Sequence, residues 1–408
     1  MTVPAKLPLD GIRVLDLSNV LAGPFCGYHL ARLGAEVLKI ENPRGGDLGR
    51  AIGGDPEMNG RGMGLLFVAM NAGKQSVALD LKHPAGKEVF LRLVDAADVV
   101  LENFRPRVME RLGLGYEMLA KRNPRLVYCA ISGFGESGPW AERPAYDQIV
   151  QGLSGAMSVT GDARSGPLRA GFPVGDTVGG LTAAFAIAAA LVEQRATGKG
   201  RFIDVSMLEA TISSMGWIVA NWLNAGIDPQ PLGNENFTAA PSGAFRTGAG
   251  LLNIAANEQK QFEALCDVIG RPSLKTDPRF AERHDRPAHR DALREAIEEA
   301  LGSRPAAEWE ALLNEAGVPA GRVLTVPEAL AAPQIAERGF VEELPMRNAA
   351  GTSLRVVRPG FRLGEDFPAP GAARTLGADT RAWLERLGYD DAAIAALARD
   401  GAVKLASE

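Results

Sequence analysis

The chain has little of what builds metal or redox chemistry. Its three cysteines, Cys26, Cys129 and Cys266, stand far apart, with no CxxC and no His/Cys spacing between them. A disulfide framework and a zinc site are therefore not expected. Four histidines (His29, His83, His284 and His289) leave small scope for imidazole catalysis. Positive charge is not in excess either: 44 Lys and Arg face 49 Asp and Glu, a net charge of −5. That argues against a general nucleic-acid binder but leaves room for a local basic pocket. The first turn after a strand reads SNVLAGP, not GxGxxG, so a dinucleotide fingerprint is missing and nicotinamide or flavin chemistry is not expected. MTVPAKLPLDG at the N-terminus has one Lys and no apolar core, so no signal peptide is read there and the expected location is the cytoplasm. No repeat or low-complexity tract occurs.

What is present is alternation. Ile12–Leu17 predicts a strand, Phe25–Leu33 a helix stopped by Gly34, and Glu36–Ile40 a second strand, a βαβ unit near the minimum length. The pattern recurs with strands at Ser76–Leu81, Val99–Leu101 and Leu126–Ile131, and helices at Pro84–Leu93 and within Val108–Arg122. It predicts an α/β fold with a doubly wound, mostly parallel sheet. Ligands of such sheets bind at the carboxyl ends of the strands. The loops there and their neighbours carry Arg44, Arg50, Lys74, Arg105, Arg107, Arg111 and Arg143, a set suited to phosphate groups. Beyond residue 228 the texture changes to loops, short strands and the helices Lys260–Ile269, Arg290–Leu301 and Ala306–Ala316, which predict a small α+β domain. A helix pair, Thr380–Leu387 and Asp390–Arg399, closes the chain.

The most distinctive stretch is Gly171–Ser206, GFPVGDTVGGLTAAFAIAAALVEQRATGKGRFIDVS. Leu181–Val192 is apolar on every side, so that helix should be buried, and it is too short to span a bilayer. Asp176 stands just before it, at an N-cap position facing the positive helix end. Gly175, Gly179 and Gly180 would strip bulk from around the carboxylate and let a large electrophile approach. An ordinary cap is the plainer alternative for Asp176.

Taken together, LDGIRVLDLSNVLAGPF, LGAEVLKIENPRGGD, SVALDLK, ADVVLENFRP, LGLGYE, NPRLVYCAISGFG, YDQIVQ, VGDTVGG, TGKG and VSMLEA resemble the class III (CaiB/BaiF-type) CoA transferases, in order and spacing, from about Leu9 onward. The resemblance implies a large Rossmann-like domain built from both chain ends, with a smaller α+β domain inserted, and an interlocked homodimer. On that basis the expected organisation is a large CoA-binding domain over residues 1–205, a linker at 206–228, a small domain at 229–326, and a return to the large domain over 327–408. It also implies a transferase that moves CoA from an acyl-CoA thioester to a carboxylic acid, with no permanently bound cofactor, no metal and no membrane or nucleic-acid partner.

Asp176 matches the family's nucleophile, which passes through a mixed anhydride and an aspartyl-CoA thioester. Water must be kept from both intermediates, and N–H groups of the glycine turn would stabilise the oxyanions. Leu21, Ala22, Lys74, Asn103, Phe104, Arg111, Arg143 and Tyr146 match CoA-contacting positions. Tyr146 and Asp147 match the family's aromatic–acidic pair near the active site, which makes Asp147 a candidate substrate contact. The region PLGNENFTAAPSGAFRTGAG lacks the glycine run of formyl-CoA:oxalate members. It is more similar to members that use succinyl-CoA with a C4–C6 dicarboxylate, which places Gly233 and Asn234 near the substrate, with Arg169, Asn234 or Arg246 as candidate anchors for a second carboxylate. A 2-methylacyl-CoA racemase of the same fold is the nearest alternative. It would want a His where this chain has Tyr146. A non-catalytic CoA-binding protein is the other.

Overall fold

The computed structural model describes residues 6–348, 350–364 and 368–406. The chain forms two compact units. The first takes the chain up to Ala156, then Ala170–Gly226, then everything from Ala336; the second takes Met157–Arg169 and Ile227–Ile335.

In the first unit, apolar runs of four to six residues make β1 (Arg13–Asp16), β2 (Glu36–Glu41), β3 (Gln75–Leu79), β4 (Val99–Glu102), β5 (Val127–Ser132) and β6 (Phe202–Ser206). Nearly every residue of β2 to β5 is buried, as strands covered on both faces require. They lie parallel in the order β3-β2-β1-β4-β5-β6. Val14 of β1 sits between Val37 and Val99. Strand order reverses between β1 and β4, which opens a crevice at their carboxyl ends. One apolar core, around Leu15, Leu38, Val100 and Phe90, fills one face; another, around Val14, Val37, Cys129 and Ile187, fills the other.

The second unit has an antiparallel sheet of β7 (Ser242–Arg246), β8 (Leu251–Ala255) and β9 (Ala320–Arg322). The helices Gln259–Val268, Arg290–Leu301 and Ala306–Glu315 cover it with Phe262, Leu265, Ile297 and Trp309.

The chain then returns to the first unit. A hairpin of β10 (Val341–Arg347) and β11 (Ser353–Val357) packs on Tyr28 and Phe67, where the Tyr28 hydroxyl donates to the Val357 carbonyl at 2.8 Å and Arg32 pairs with Glu342 at 2.8 Å. Thr380–Arg386 and Asp391–Arg399 pack Trp383, Leu384 and Ile394 into the core around Leu15. The two residues of β12 (Val403–Lys404) cap the exposed edge of β3, antiparallel to it. The residues 206–228, expected as a linker, are largely two helices, Met207–Ser214 and Trp217–Ala225, and the first unit extends through Gly226.

The long helix runs Val174–Thr197, so its 24 residues exceed the short apolar segment expected from sequence. It is the one helix among the described residues long and apolar enough to cross a membrane, yet it packs on the helix Ala22–Arg32, on β5 and on Met207–Ser214. Expectation and structure also differ on burial. Ala183, Ile187, Ala190 and Leu191 are buried, but Phe185 is 76% and Val192 71% exposed, and Trp222 and Leu223 of Trp217–Ala225 are exposed too. Complete apolarity therefore marks a helix with one face in the core and another facing out of the single chain.

The glycines of this helix also work differently from the expectation. They are buried and face protein: a Cβ on Gly180 would lie 2.5 Å from the Ala22 carbonyl oxygen, and one on Gly179 would lie 2.9 Å from Met207 Cγ. They permit close helix packing rather than substrate approach. Gly180→Ala should force the two helices apart and cost about 1–3 kcal/mol of stability, read as a lower urea midpoint at unchanged m-value. A midpoint equal to that of the natural protein would show that the helices do not depend on this contact.

Candidate active site

A cavity of about 210 Å³ opens in the crevice. The loop after β1 (Asn19, Val20, Leu21), the end of β4 (Asn103, Phe104) and the segment Arg143–Tyr146 wall it, and Asp176 lies on its surface. All of these belong to the first unit.

Asp176 is the third residue of the long helix rather than its cap, which is Pro173. Its half-buried carboxylate accepts no hydrogen bond and forms no ion pair among the described residues. Burial, then the nearby Asp147 charge, push the group from 3.8 up to about 7. The positive helix end acts in the opposite direction, favouring the anion. Asp147 sits beneath. It is buried, its Oδ1 accepts the Gly175 N–H at 2.8 Å, and its Oδ2 accepts from Gln151 Nε2 at 2.7 Å. Gln151, 1% exposed, also donates to the Phe172 carbonyl and accepts the Ala170 N–H at 2.9 Å. These two side chains fix the approach to the helix. One consequence corrects the sequence reading: the Gly175 N–H is held by Asp147, so it is not an oxyanion donor.

Of the expected CoA-contacting residues, Leu21, Asn103, Phe104, Arg143 and Tyr146 line the same cavity as Asp176. The Asn103 amide pairs with both polar groups of the Asn19 backbone, at 2.7 and 2.9 Å. Phe104 is set by Glu102, whose Oε2 accepts the Phe104 N–H at 2.7 Å; burial pushes that carboxyl up to about 8. Arg143 stacks on Trp140, 4.8 Å from the ring centroid. Ala22 is buried behind the wall, against Gly180. Arg111 is exposed at the end of the short helix Val108–Arg111 and does not line the cavity.

Lys74 is buried and is not among the residues that line this cavity. Only 2% exposed, its Nζ is taken by Asp16 (2.8 Å), Asn71 (2.9 Å) and the Pro24 carbonyl (2.8 Å). Arg50 is likewise buried and doubly bonded to Glu41. Among the described residues Arg105, Arg111 and Arg143 make no ion pair, and Arg105 also lines the cavity. Arg169, Gly233 and Asn234 belong to the second unit. There Gly233 takes φ +60° and donates to the Gly161 carbonyl, Asn234 lines a separate cavity with Asn236 and Asn253, and Arg246 pairs with Glu298 at 2.7 Å.

The sequence reading misses Gln151, which lies four residues after Asp147 on one helix face, the spacing that could have found it. It also misses a second cavity of about 180 Å³ at the ends of β2 and β3, lined by Asn42, Asp80 and Lys82 and sharing Asn19 and Phe104 with the first.

Residues 9–380 match the model of CoA-transferase family III. An acetyl-CoA:oxalate CoA-transferase from Acetobacter aceti is 45% identical over 343 residues, 83% of this chain and 87% of that protein. A succinate–glutarate CoA-transferase from Agrobacterium fabrum is 38% identical, over 88% of this chain and 94% of that one. Among solved structures, a CAIB/BAIF family protein from Brucella suis superposes with a TM-score of 0.82 at 34% identity, covering 94% of this chain and all of the other.

The displaced ionisation of Asp176 carries a stability signature. Between 3.8 and about 7 the folded carboxyl holds a proton that the unfolded one has lost, so stability falls as pH rises through that window. A shift of this size converts to about 4 kcal/mol, and water in the open cavity screens part of it. Asp176→Asn should melt higher than the natural protein at pH 8, by about 1–3 kcal/mol in stability, and the gap should close below pH 4. A gap equal at both pH values would contradict the assigned burial.

Proposed function

Because the chain belongs to CoA-transferase family III, we propose that it moves CoA from an acyl-CoA thioester to a small dicarboxylic acid with Asp176 as the nucleophile. The observation that carries this is a carboxylate without a hydrogen-bond partner among the described residues, half-buried in a cavity at the crevice of a doubly wound sheet.

The chemistry follows from that environment. Asp176 attacks the thioester carbonyl, the carbon–sulfur bond breaks, and CoA leaves as thiolate while a mixed anhydride remains. The thiolate then attacks the Asp176 carbonyl, giving an aspartyl-CoA thioester and releasing the donor acid. The acceptor carboxylate attacks that thioester, and the returning thiolate takes the new acyl group from the second anhydride. Each bond broken is matched by one of similar energy. A carboxyl raised to about 7 is a stronger nucleophile than an exposed aspartate, at the cost of being protonated in more acidic solution. No histidine lines the cavity, and Tyr146 is 69% exposed, which gives no support to the racemase alternative.

The two cavities that share Asn19 and Phe104 suit an extended ligand, with the thioester end beside Asp176 and the nucleotide toward Lys82. Arg105 and Arg143 stand at the first. As for the acceptor, the relatives named above act on oxalate and on glutarate, both dicarboxylates of different length. That supports a dicarboxylate acceptor, of either the oxalate or the C4–C6 kind. A second copy of the chain covering Phe185, Val192, Trp222 and Leu223 belongs to the same reading.

The test is a CoA-exchange screen read by mass spectrometry, with acetyl-CoA and succinyl-CoA as donors and oxalate, succinate, glutarate, mesaconate and butyrate as acceptors. Dicarboxylates should exchange well ahead of butyrate, and kcat/KM should climb to a plateau above about pH 7. Asp176→Ala should fold and lose at least about 10³-fold in turnover, and hydroxylamine should mark Asp176 only in the natural protein incubated with acyl-CoA. Exchange by the alanine variant at near-natural rate would sink the proposal.

A further inference from the structure

The loop after β1 is held from behind to an unusual degree. Three successive backbone N–H groups are taken by side chains of three different segments. Ser18 donates to Asp16 Oδ1 at 3.0 Å, Asn19 to Asn103 Oδ1 at 2.7 Å, and Val20 to Asp47 Oδ1 at 2.9 Å. The Ser18 carbonyl accepts from Lys39 Nζ. Val20 has φ +68°, in the left-handed region that a β-branched residue enters only under constraint.

Asp47 is 2% exposed and lies in the loop after β2, where it also accepts the Gly49 N–H at 2.8 Å. Lys39 pairs with Asp47 at 2.9 Å and lies 3.8 Å from Asp16, which in turn pairs with Lys74 at 2.8 Å. Two anions and two cations, all within 2% of full burial, thus stand directly behind one wall of the Asp176 cavity. Buried ion pairs of this kind add little net stability compared with apolar packing. What they do supply here is a fixed position for the acceptor that Val20 needs.

We propose that Asp47, backed by Lys39, is a positioning residue of the transfer reaction. It holds Val20 in the left-handed conformation and so fixes the Asn19–Leu21 wall of the cavity in which Asp176 reacts. The proposal rests on the reading of that cavity as the reaction site. Strain of this class corresponds to about a 5- to 150-fold bias against the held conformation. Without its acceptor the wall would spend most of its time elsewhere, and turnover would fall by a comparable factor.

Glycine adopts this backbone conformation without the side-chain penalty, so the dependence on Asp47 should vanish in a Val20→Gly variant. The experiment is the double-mutant cycle of Asp47→Ala and Val20→Gly, read by CoA exchange and by hydrogen exchange of the segment 17–25. In the natural background Asp47→Ala should lower kcat by about 10- to 100-fold with KM for acyl-CoA nearly unchanged, and should speed exchange of the segment. In the Val20→Gly background the same substitution should cost less than about threefold. Asp47→Asn, which keeps an acceptor oxygen, should recover most of the loss. Equal losses in both backgrounds, a loss seen in KM alone, or failure of Asp47→Ala to fold even when combined with Val20→Gly would each overturn the proposal and leave Asp47 a purely structural residue. If the natural protein exchanges CoA with no acceptor, the functional reading falls instead, and the hydrogen-exchange cycle still decides whether Asp47 holds the loop.

Discussion

The site depends on keeping one carboxylate out of bulk water while denying it a partner. Folded proteins satisfy buried polar groups almost everywhere, because an unpaired one costs free energy. Asp176 is only half-buried, and among the described residues its carboxylate has no hydrogen-bond or ion-pair partner. Two polar side chains beneath it are engaged elsewhere: Asp147 takes the Gly175 N–H, and Gln151 takes the Ala170 N–H and donates to Asp147 and Phe172. The helix end favours negative charge there, while desolvation and the Asp147 charge oppose it.

The charged residues behind the cavity show the opposite treatment. Lys39, Lys74, Asp16, Asp47, Glu41 and Arg50 are all buried and all paired. Full pairing makes a rigid support, because each side chain has one arrangement that satisfies it. The contrast also explains why a cation count from sequence overstates the binding set. Of the cations expected to bind, Lys74 and Arg50 are committed to structure, whereas Arg105 and Arg143 line the cavity and make no ion pair among the described residues.

Much of this is legible in the chain itself. Strand and helix alternate strongly enough that the parallel sheet and its ligand-bearing ends follow from periodicity, and Asp176 is conspicuous among glycines in an apolar stretch. Other features leave no periodic trace. β12 is two residues long and exists only because the edge of β3 needs covering. Whether a lysine after a turn points out or in depends on a buried partner 58 residues away, as Asp16 is from Lys74. The glycines of the long helix mislead for a related reason: sequence shows that bulk is missing but not on which side, and Ala22 and Met207 occupy that side. The helix start differs from expectation because Pro173, not Asp176, takes the cap, the kind of boundary that propensity locates least well.

The distribution of charge around the crevice joins binding to reactivity. Two carboxyls there ionise only near neutrality or above, Asp176 at about 7 and Glu102 at about 8, the second directly beneath Phe104. A polyanionic ligand entering such a site would raise both further, since each added negative charge disfavours another. Left uncompensated, binding would therefore protonate the carboxylate proposed above as the nucleophile. On the reading proposed above, Arg105 and Arg143, which line the same cavity and make no ion pair among the described residues, would offset that effect. A guanidinium already paired with a protein carboxylate would do so less well, because its charge would be largely neutralised before the ligand arrived.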